Sequence, residues 1–87
     1  MAKWIRLTDQ GWRVEDVQPQ NGTDFKLQEL RDFVDGFIEV VELSPTEFLI
    51  ANEESAIRDF EYNPIASSLA NEPIFGNVLI CLKSQVQ

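Results

Sequence analysis

Residues 24–43 constrain the fold most, because they predict a helix, a turn and a strand in immediate succession. Leu27, Leu30, Phe33 and Val34 recur at spacings of three, three and one, which places them on one face of an α-helix. A helix of about three turns is only marginally stable in water by itself. We therefore expect this helix to pack its apolar face on a β-sheet.

The residues around this helix indicate where it begins and ends. Asp24 suits the N-cap position, because its carboxylate can accept a backbone N–H of the first turn. Gly36 follows the last periodic residue and suits the left-handed conformation in which many helices end. Residues 37–43 carry β-branched and aromatic side chains on both faces, which predicts a central strand. Glu39 interrupts one of these faces, either as a solvated carboxylate at the sheet rim or as an acid that faces a ligand.

The segments on either side predict further short strands. Residues 3–7 and 12–15 alternate in polarity around a turn at residues 8–11, which indicates a β-hairpin. Residues 48–51 follow a short turn and are expected to pair with the strand before them. Residues 78–82 are almost all apolar and predict a buried final strand.

A second helix is expected to begin near residue 63. Asn63 can cap it, and Pro64 suits its first position. The element order β-β-α-β-β-α-β predicts an α+β fold, in which a small antiparallel or mixed sheet of about five strands carries two short helices packed on one face. We expect one domain over residues 1–87, ordered from about residue 3 to residue 82, with residues 83–87 as a frayed C-terminal tail.

Composition excludes several chemistries. The chain has 15 acidic and 7 basic residues and a formal net charge of −8, so we expect no direct binding to nucleic acid or to anionic membranes, where Lys and Arg must replace counterions. It has no histidine, which excludes Ser-His-Asp and Cys-His catalysis and His-ligated zinc. Cys81 is the single cysteine, so neither an internal disulfide nor a multi-cysteine metal site can form, and no cofactor is expected. No apolar run reaches the length of a signal peptide or a transmembrane helix, which favours a cytoplasmic protein.

An ordered set of short motifs resembles a known family. Residues 27–41 follow the pattern L-x-E-L-x-x-x-V-x-G-F-I-E-V-V, residues 52–54 read N-E-E, residues 63–66 read N-P-I-A, and residues 76–80 read G-N-V-L-I. The order of these motifs along the chain resembles the pattern of the domain-of-unknown-function family numbered 3846. The resemblance covers about residues 3–82 and rests on the whole set of motifs, since none of them is specific by itself.

Two positions depart from the family's pattern. Asp35 and Ser55 stand where the family tends to have glycine, which makes both turns less permissive. The family carries no established activity. The resemblance implies only a cytoplasmic accessory protein of a bacterium, a phage or a mobile element.

Four polar residues form a first candidate site, Glu39, Asn52, Glu53 and Asn63. If the two strands around residue 45 form a hairpin, these side chains lie near one end of the sheet, where carboxylates and amides could bind Mg²⁺ or a sugar hydroxyl. The alternative is structural, with Asn52 and Glu53 as turn residues and Asn63 as a helix cap. No base with a clear partner and no metal-ligand spacing is visible, so we assign no catalytic and no metal-ligating residue.

Four carboxylates form a second candidate site. Glu53, Glu54, Asp59 and Glu61 fall within nine residues and are opposed only by Arg58. Such a surface could bind a basic or nucleic-acid-binding protein. A solvated loop is the alternative, because charge runs are usually solvated.

Three functions fit these observations. The leading hypothesis is a small acidic, non-enzymatic interaction protein, an accessory or inhibitor protein of a phage or mobile element, that binds another protein through its acidic face or an exposed sheet edge. The second is a small-ligand or nucleotide-binding module that uses Glu39, Asn52, Glu53 and Asn63. The third is a carboxylate-dependent metalloenzyme. Exposed edge strands and Trp4 also permit a homodimer.

Overall fold

A computed structural model describes residues 2–55 and 57–86, which form one five-stranded antiparallel sheet and two α-helices. The confirmed prediction is therefore an α+β fold with the expected element order. The strands are β1 (Ala2–Thr8), β2 (Gly11–Val17), β3 (Ile38–Glu42), β4 (Glu47–Asn52) and β5 (Val78–Leu82), and the helices are α1 (Leu27–Val34) and α2 (Pro64–Ala70). The strands lie in the spatial order β2-β1-β5-β4-β3.

The two helices lie on opposite faces of the sheet, which differs from the expected placement on one face. Ile50 of β4 belongs to the same core cluster as Leu30 of α1, whereas its neighbour Leu49 packs in a second cluster with Ala66 of α2. Successive side chains of a strand point to opposite faces. Because β4 and β5 are apolar at nearly every position, both of their faces need a cover, and each helix supplies one.

Strand β3 lies at an edge of the sheet, so the prediction of a central strand is wrong for this segment. Glu39 and Glu42 are exposed, and the side chain of Val40 is 45 % exposed. Strands β4 and β5 are buried over longer uninterrupted apolar runs, and they occupy the centre instead. Charged side chains on β3 suit an edge, where they reach water and discourage pairing with other chains.

Residues 83–86 of the expected frayed tail have defined structure, and Gln87 lies outside the described residues. Lys83–Gln85 forms a 3₁₀ turn, and the backbone N–H of Phe25 donates to the carbonyl of Gln85 at 2.6 Å. Val86 pairs with Phe25 in a parallel bridge and packs against the core cluster that contains it. Phe25 is fully buried, so this segment closes the core below the start of α1.

Helix α1 begins at Leu27, three residues after Asp24, which is therefore not its N-cap. Lys26 occupies that position, and the Glu29 carboxylate accepts hydrogen bonds from the backbone N–H groups of Lys26 at 2.8 Å and Gln20 at 2.9 Å. The capping interaction thus comes from inside the helix. Asp24 lies in the preceding loop and accepts a hydrogen bond from the Asn21 amide at 2.6 Å.

The turn from α1 to β3 is tightly packed. Asp35, rather than Gly36, adopts the left-handed conformation that ends the helix, with φ +63°, which Asp tolerates better than most residues. Gly36 follows at φ +156°. A Cβ atom built on Gly36 would lie 2.6 Å from the Asn52 amide nitrogen and 3.1 Å from the guanidinium of Arg58. This glycine is therefore required by the close approach of two side chains.

We predict that Gly36→Ala lowers the free energy of unfolding by about 2–3 kcal/mol, because the new methyl group must displace a buried amide. Gly22→Ala is the matched control, since Gly22 has φ +82° and nothing lies within 4 Å of the place that its methyl group would take. It is expected to cost about 1 kcal/mol, from backbone strain alone. Urea unfolding of both variants measures the difference, and equal costs would show that the contact with Asn52 is unimportant.

Candidate functional site

The four carboxylates of the second candidate site lie in the loop between β4 and α2. We call residues 53–55 and 57–61 the acidic loop. Glu53, Glu54, Asp59 and Glu61 are all exposed. The loop is hydrogen-bonded at both ends, because the N–H of Glu53 donates to Phe37 O at 3.0 Å and Gly76 N–H donates to Glu61 O at 2.8 Å. The backbone therefore presents these carboxylates from a defined position beside the sheet.

Arg58 is the basic residue within the acidic loop, and its guanidinium points back toward the protein. Its Nη1 donates to the carbonyl of Asp35 at 3.0 Å. The same group lies 5.0 Å from the centre of the Phe60 ring, in a cation–π arrangement. The one positive charge of the loop thus stabilises the turn after α1.

A cleft of about 260 Å³ opens beside the acidic loop, and we call it the acidic cleft. Its walls combine aromatic and apolar side chains with carboxylates from two separate segments. They include Trp12, Phe60, Leu7, Asp35, Asp59 and Glu61. This arrangement suits a Lys or Arg side chain, because the alkyl stem can pack on the rings while the charged end meets the carboxylates.

Asn52 of the first candidate site is buried, with 1 % of its surface exposed. Its amide nitrogen donates to the carbonyls of Val34 at 3.1 Å and Asp35 at 3.2 Å, and its oxygen accepts the backbone N–H of Glu54 at 2.8 Å. These contacts join the end of α1, the end of β4 and the start of the acidic loop. Asn52 therefore has the structural role of a turn residue, which was the alternative to a ligand-binding role.

Asn63 is also fully buried and has a similar role at α2. Its side-chain oxygen accepts the N–H of Ala66 at 2.9 Å, as the predicted helix cap requires. Its amide nitrogen donates to the carbonyl of Gly76 at 2.9 Å, which ties the helix start to the segment before β5.

The structure does not gather the four residues of the first candidate site around one point. Glu39 pairs with Ala51 in the sheet and therefore lies on the face that α2 covers, whereas Asn52 bonds the end of α1 on the opposite face. Glu53 points to solvent. Within residues 2–55 and 57–86, no group of three or more Cys, Asp or Glu side chains is placed to hold a metal ion.

Three residues of the acidic cleft were not singled out from the sequence. In the sequence, Asp35 stands out only as a departure from a family pattern, and Trp12 is predicted only to be a core residue of the first hairpin. Phe60 lies in a segment with neither helical nor strand periodicity. These residues come from three separate stretches of chain, so no local spacing could have connected them.

Cys81 is the chain's one thiol, and it lies in the core beneath α1. Burial raises the pKa of the Cys81 thiol from 9.0 to about 11, because the thiolate would lose its hydration. The group is therefore protonated at neutral pH and is unsuited to act as a nucleophile.

The fold and its surface define a small α+β protein, with one antiparallel sheet covered by a helix on each face and an acidic cleft at one end. The chain belongs to the family defined by the domain of unknown function DUF3846, whose model matches residues 7–85. This confirms the resemblance found in the sequence. No match was found among curated proteins or among solved structures. None of the helices in the described part of the chain is long and apolar enough to cross a membrane.

We predict that Asn52→Ala lowers the free energy of unfolding by about 2–4 kcal/mol, because two carbonyls and one N–H lose a buried partner. Glu39→Ala is the control from the same candidate site, and its exposed side chain is expected to contribute less than about 0.5 kcal/mol. Chemical denaturation of both variants gives the comparison. A loss for Asn52→Ala as small as that for Glu39→Ala would contradict the structural role.

The buried Cys81 thiol is expected to make stability depend on pH in alkaline solution. The thiol of the unfolded chain has a pKa near 9 and that of the folded protein a pKa near 11. The thiol's contribution to the free energy of unfolding is therefore constant below about pH 9. As pH rises from about 9 to 11, the free energy of unfolding falls by up to about 3 kcal/mol, because the unfolded chain loses the proton first. Subtracting the pH profile of Cys81→Ala from that of the wild type isolates this effect from other titrating groups. Parallel profiles over this range would contradict the burial of an intact thiol.

Proposed function

We propose that this protein is a small non-enzymatic interaction protein that binds a basic protein partner at the acidic cleft and acidic loop. The observation that carries the proposal is the combination, in one concave site, of aromatic walls from Trp12 and Phe60 with carboxylates from Asp35, Asp59 and Glu61. Protein interfaces typically combine apolar or aromatic contact at the centre with a charged rim.

Long-range electrostatics support a basic partner. The formal net charge of −8 attracts positive surfaces, and Glu53 and Glu54 extend the acidic surface beyond the cleft. Charges of this kind mainly raise the association rate and select the partner. The short-range contacts in the cleft would then orient one Lys or Arg side chain.

An apolar contact favours a protein over a small cation as the partner. Ile57 lies in the acidic loop with 80 % of its surface exposed. A protein that covers the loop would remove this side chain from water, which is favourable by about 25 cal/mol per Å² of apolar surface buried. The cytoplasmic setting and the phage or mobile-element origin implied by the family resemblance are parts of the same proposal.

The test uses an amidated peptide of alternating arginine and leucine residues as the basic probe, titrated into the protein at low and moderate salt. Trp12 lines the cleft, so its fluorescence reports binding when Trp4→Phe removes the other indole. Asp59→Asn combined with Glu61→Gln is expected to weaken binding roughly tenfold, because both changes remove charge from the cleft at nearly constant shape. Asn also tolerates the positive φ of +62° at position 59.

Asp32→Asn combined with Glu72→Gln is the matched control, because it removes the same charge from two exposed positions outside the acidic cleft. This pair is expected to weaken binding less than about threefold at moderate salt, where distant charges are screened. Equal weakening by the two pairs would show that the peptide responds only to net charge. A glutamate-for-arginine version of the peptide is expected not to bind.

A further inference from the structure

Strand β2 is an open edge of the sheet and is longer than the opposite edge, β3. It has seven residues, against five in β3. Edge strands present unpaired backbone groups that can pair with another chain. The exposed side chain at the middle of β2 is Val14, which is 50 % exposed.

The hairpin geometry determines which backbone groups of β2 face outward. Thr8 pairs with Gly11 across a two-residue turn, and the register continues as Arg6 with Arg13 and Trp4 with Glu15. In such a hairpin the pair next to the turn is hydrogen-bonded, and hydrogen-bonded pairs then alternate with non-hydrogen-bonded ones. The N–H and C=O groups at positions 12, 14 and 16 therefore point away from β1, toward the open edge.

The β2 edge is complementary to itself about Val14. If two copies pair antiparallel through β2 with Val14 opposite its own copy, the outward backbone groups at positions 12, 14 and 16 meet in register. In this arrangement Arg13 of one chain opposes Glu15 of the other, and the same pairing recurs on the other side of the two-fold axis. These are non-hydrogen-bonded positions, where opposed side chains come closest.

Other two-fold registers of β2 are less favourable. A shift that centres the axis on Asp16 would oppose this carboxylate to its own copy, which is destabilising. A shift that centres it on Trp12 would leave Glu15 beyond the paired region. Only the register about Val14 pairs both charges with their opposites.

The same register resolves a charge conflict within one chain. Arg6 and Arg13 are directly opposed on β1 and β2, and like charges in this position destabilise a sheet. Glu15 accepts a hydrogen bond from Arg6, and the Arg6 guanidinium lies 4.7 Å from the centre of the Trp4 ring. A carboxylate can accept several hydrogen bonds. The partner's arginine at position 13 would therefore give each guanidinium an adjacent carboxylate.

Neither the opposite edge of the sheet nor Trp4 offers a comparable match. A two-fold pairing of β3 about Val40 would oppose Glu42 to Ile38 and Glu39 to Val41, so no ion pair forms. Trp4 is committed within its own chain, because its ring packs on Phe33 with centres 5.2 Å apart and its N–H donates to the Phe33 carbonyl at 3.1 Å.

We propose that two copies of this chain associate through antiparallel pairing of β2 about Val14, which joins the two sheets into one of ten strands. This proposal does not rest on the proposed function, since it is argued from the backbone and charges of β2 alone, although Trp12 belongs both to this strand and to the wall of the acidic cleft. An edge contact of this kind is smaller than the roughly 1,200–2,000 Å² of standard interfaces, so we expect a weak dimer that forms at high protein concentration.

Sedimentation velocity over a concentration series tests the proposal with two charge-reversal variants. Arg13→Glu alone and Glu15→Arg alone are each expected to remain monomeric where the wild type dimerises, because each places like charges across the axis. An equimolar mixture of the two is expected to form a heterodimer, because every opposed pair is then Glu with Arg. Glu39→Arg on β3 is the control and is expected to dimerise as the wild type does.

Three results would overturn the proposal. One is a wild type that stays monomeric at about millimolar concentration. Another is a mixture of the two variants that sediments as monomers although circular dichroism shows both to be folded. The third is loss of the dimer in Glu39→Arg with retention in Arg13→Glu, which would move the contact to β3.

Discussion

The buried amide of Asn52 connects the main parts of this fold. It lies at the end of a central strand, donates to the carbonyls of Val34 and Asp35 at the end of α1, and accepts the backbone N–H of Glu54 in the acidic loop. A side chain at Gly36 would have to displace this amide, so the turn from α1 into β3 is most stable with glycine there. Because the same amide holds the Asp35 carbonyl, it also positions one wall of the acidic cleft. The architecture and the candidate site thus depend on one side chain.

The helices and strands could be predicted from the sequence, but the order of the strands in the sheet and the contacts between distant segments could not. The periodicity of Leu30, Phe33 and Val34 located α1, because this pattern reports which face of one element is apolar. Leu27 was expected on the same face, but it lies at the start of the helix with 51 % of its surface exposed. The order of strands in a sheet depends on how apolar each strand is relative to the others. Strand β3 is apolar, but β4 and β5 have longer apolar runs and therefore occupy the centre. The structure of residues 83–86 involves a similar long-range contact, since Val86 packs near Phe25, far away in the sequence.

In the candidate sites, too, local features could be predicted from the sequence and features that depend on tertiary structure could not. Glu53, Glu54, Asp59 and Glu61 are close in sequence, so their exposure in a single loop followed from composition and turn residues. The grouping of Glu39 with Asn52 depended on the face to which each side chain points, and the pairing of Glu39 with Ala51 places them on opposite sides. A change of one residue in register reverses such an assignment. The aromatic walls of the cleft are brought together only by tertiary structure.

The first and last strands of the domain are neighbours in the sheet, because β1 pairs with β5. During synthesis the first two strands emerge early, yet the strand that must lie beside them is the last to be made. Until β5 is made, the β1–β2 and β3–β4 hairpins have unpaired edge strands. Unpaired edges of this kind make nascent chains prone to mispairing. Completion of the fold is therefore expected to be a cooperative event after β5 leaves the ribosome, and truncations that remove β5 would leave two hairpins without a common core.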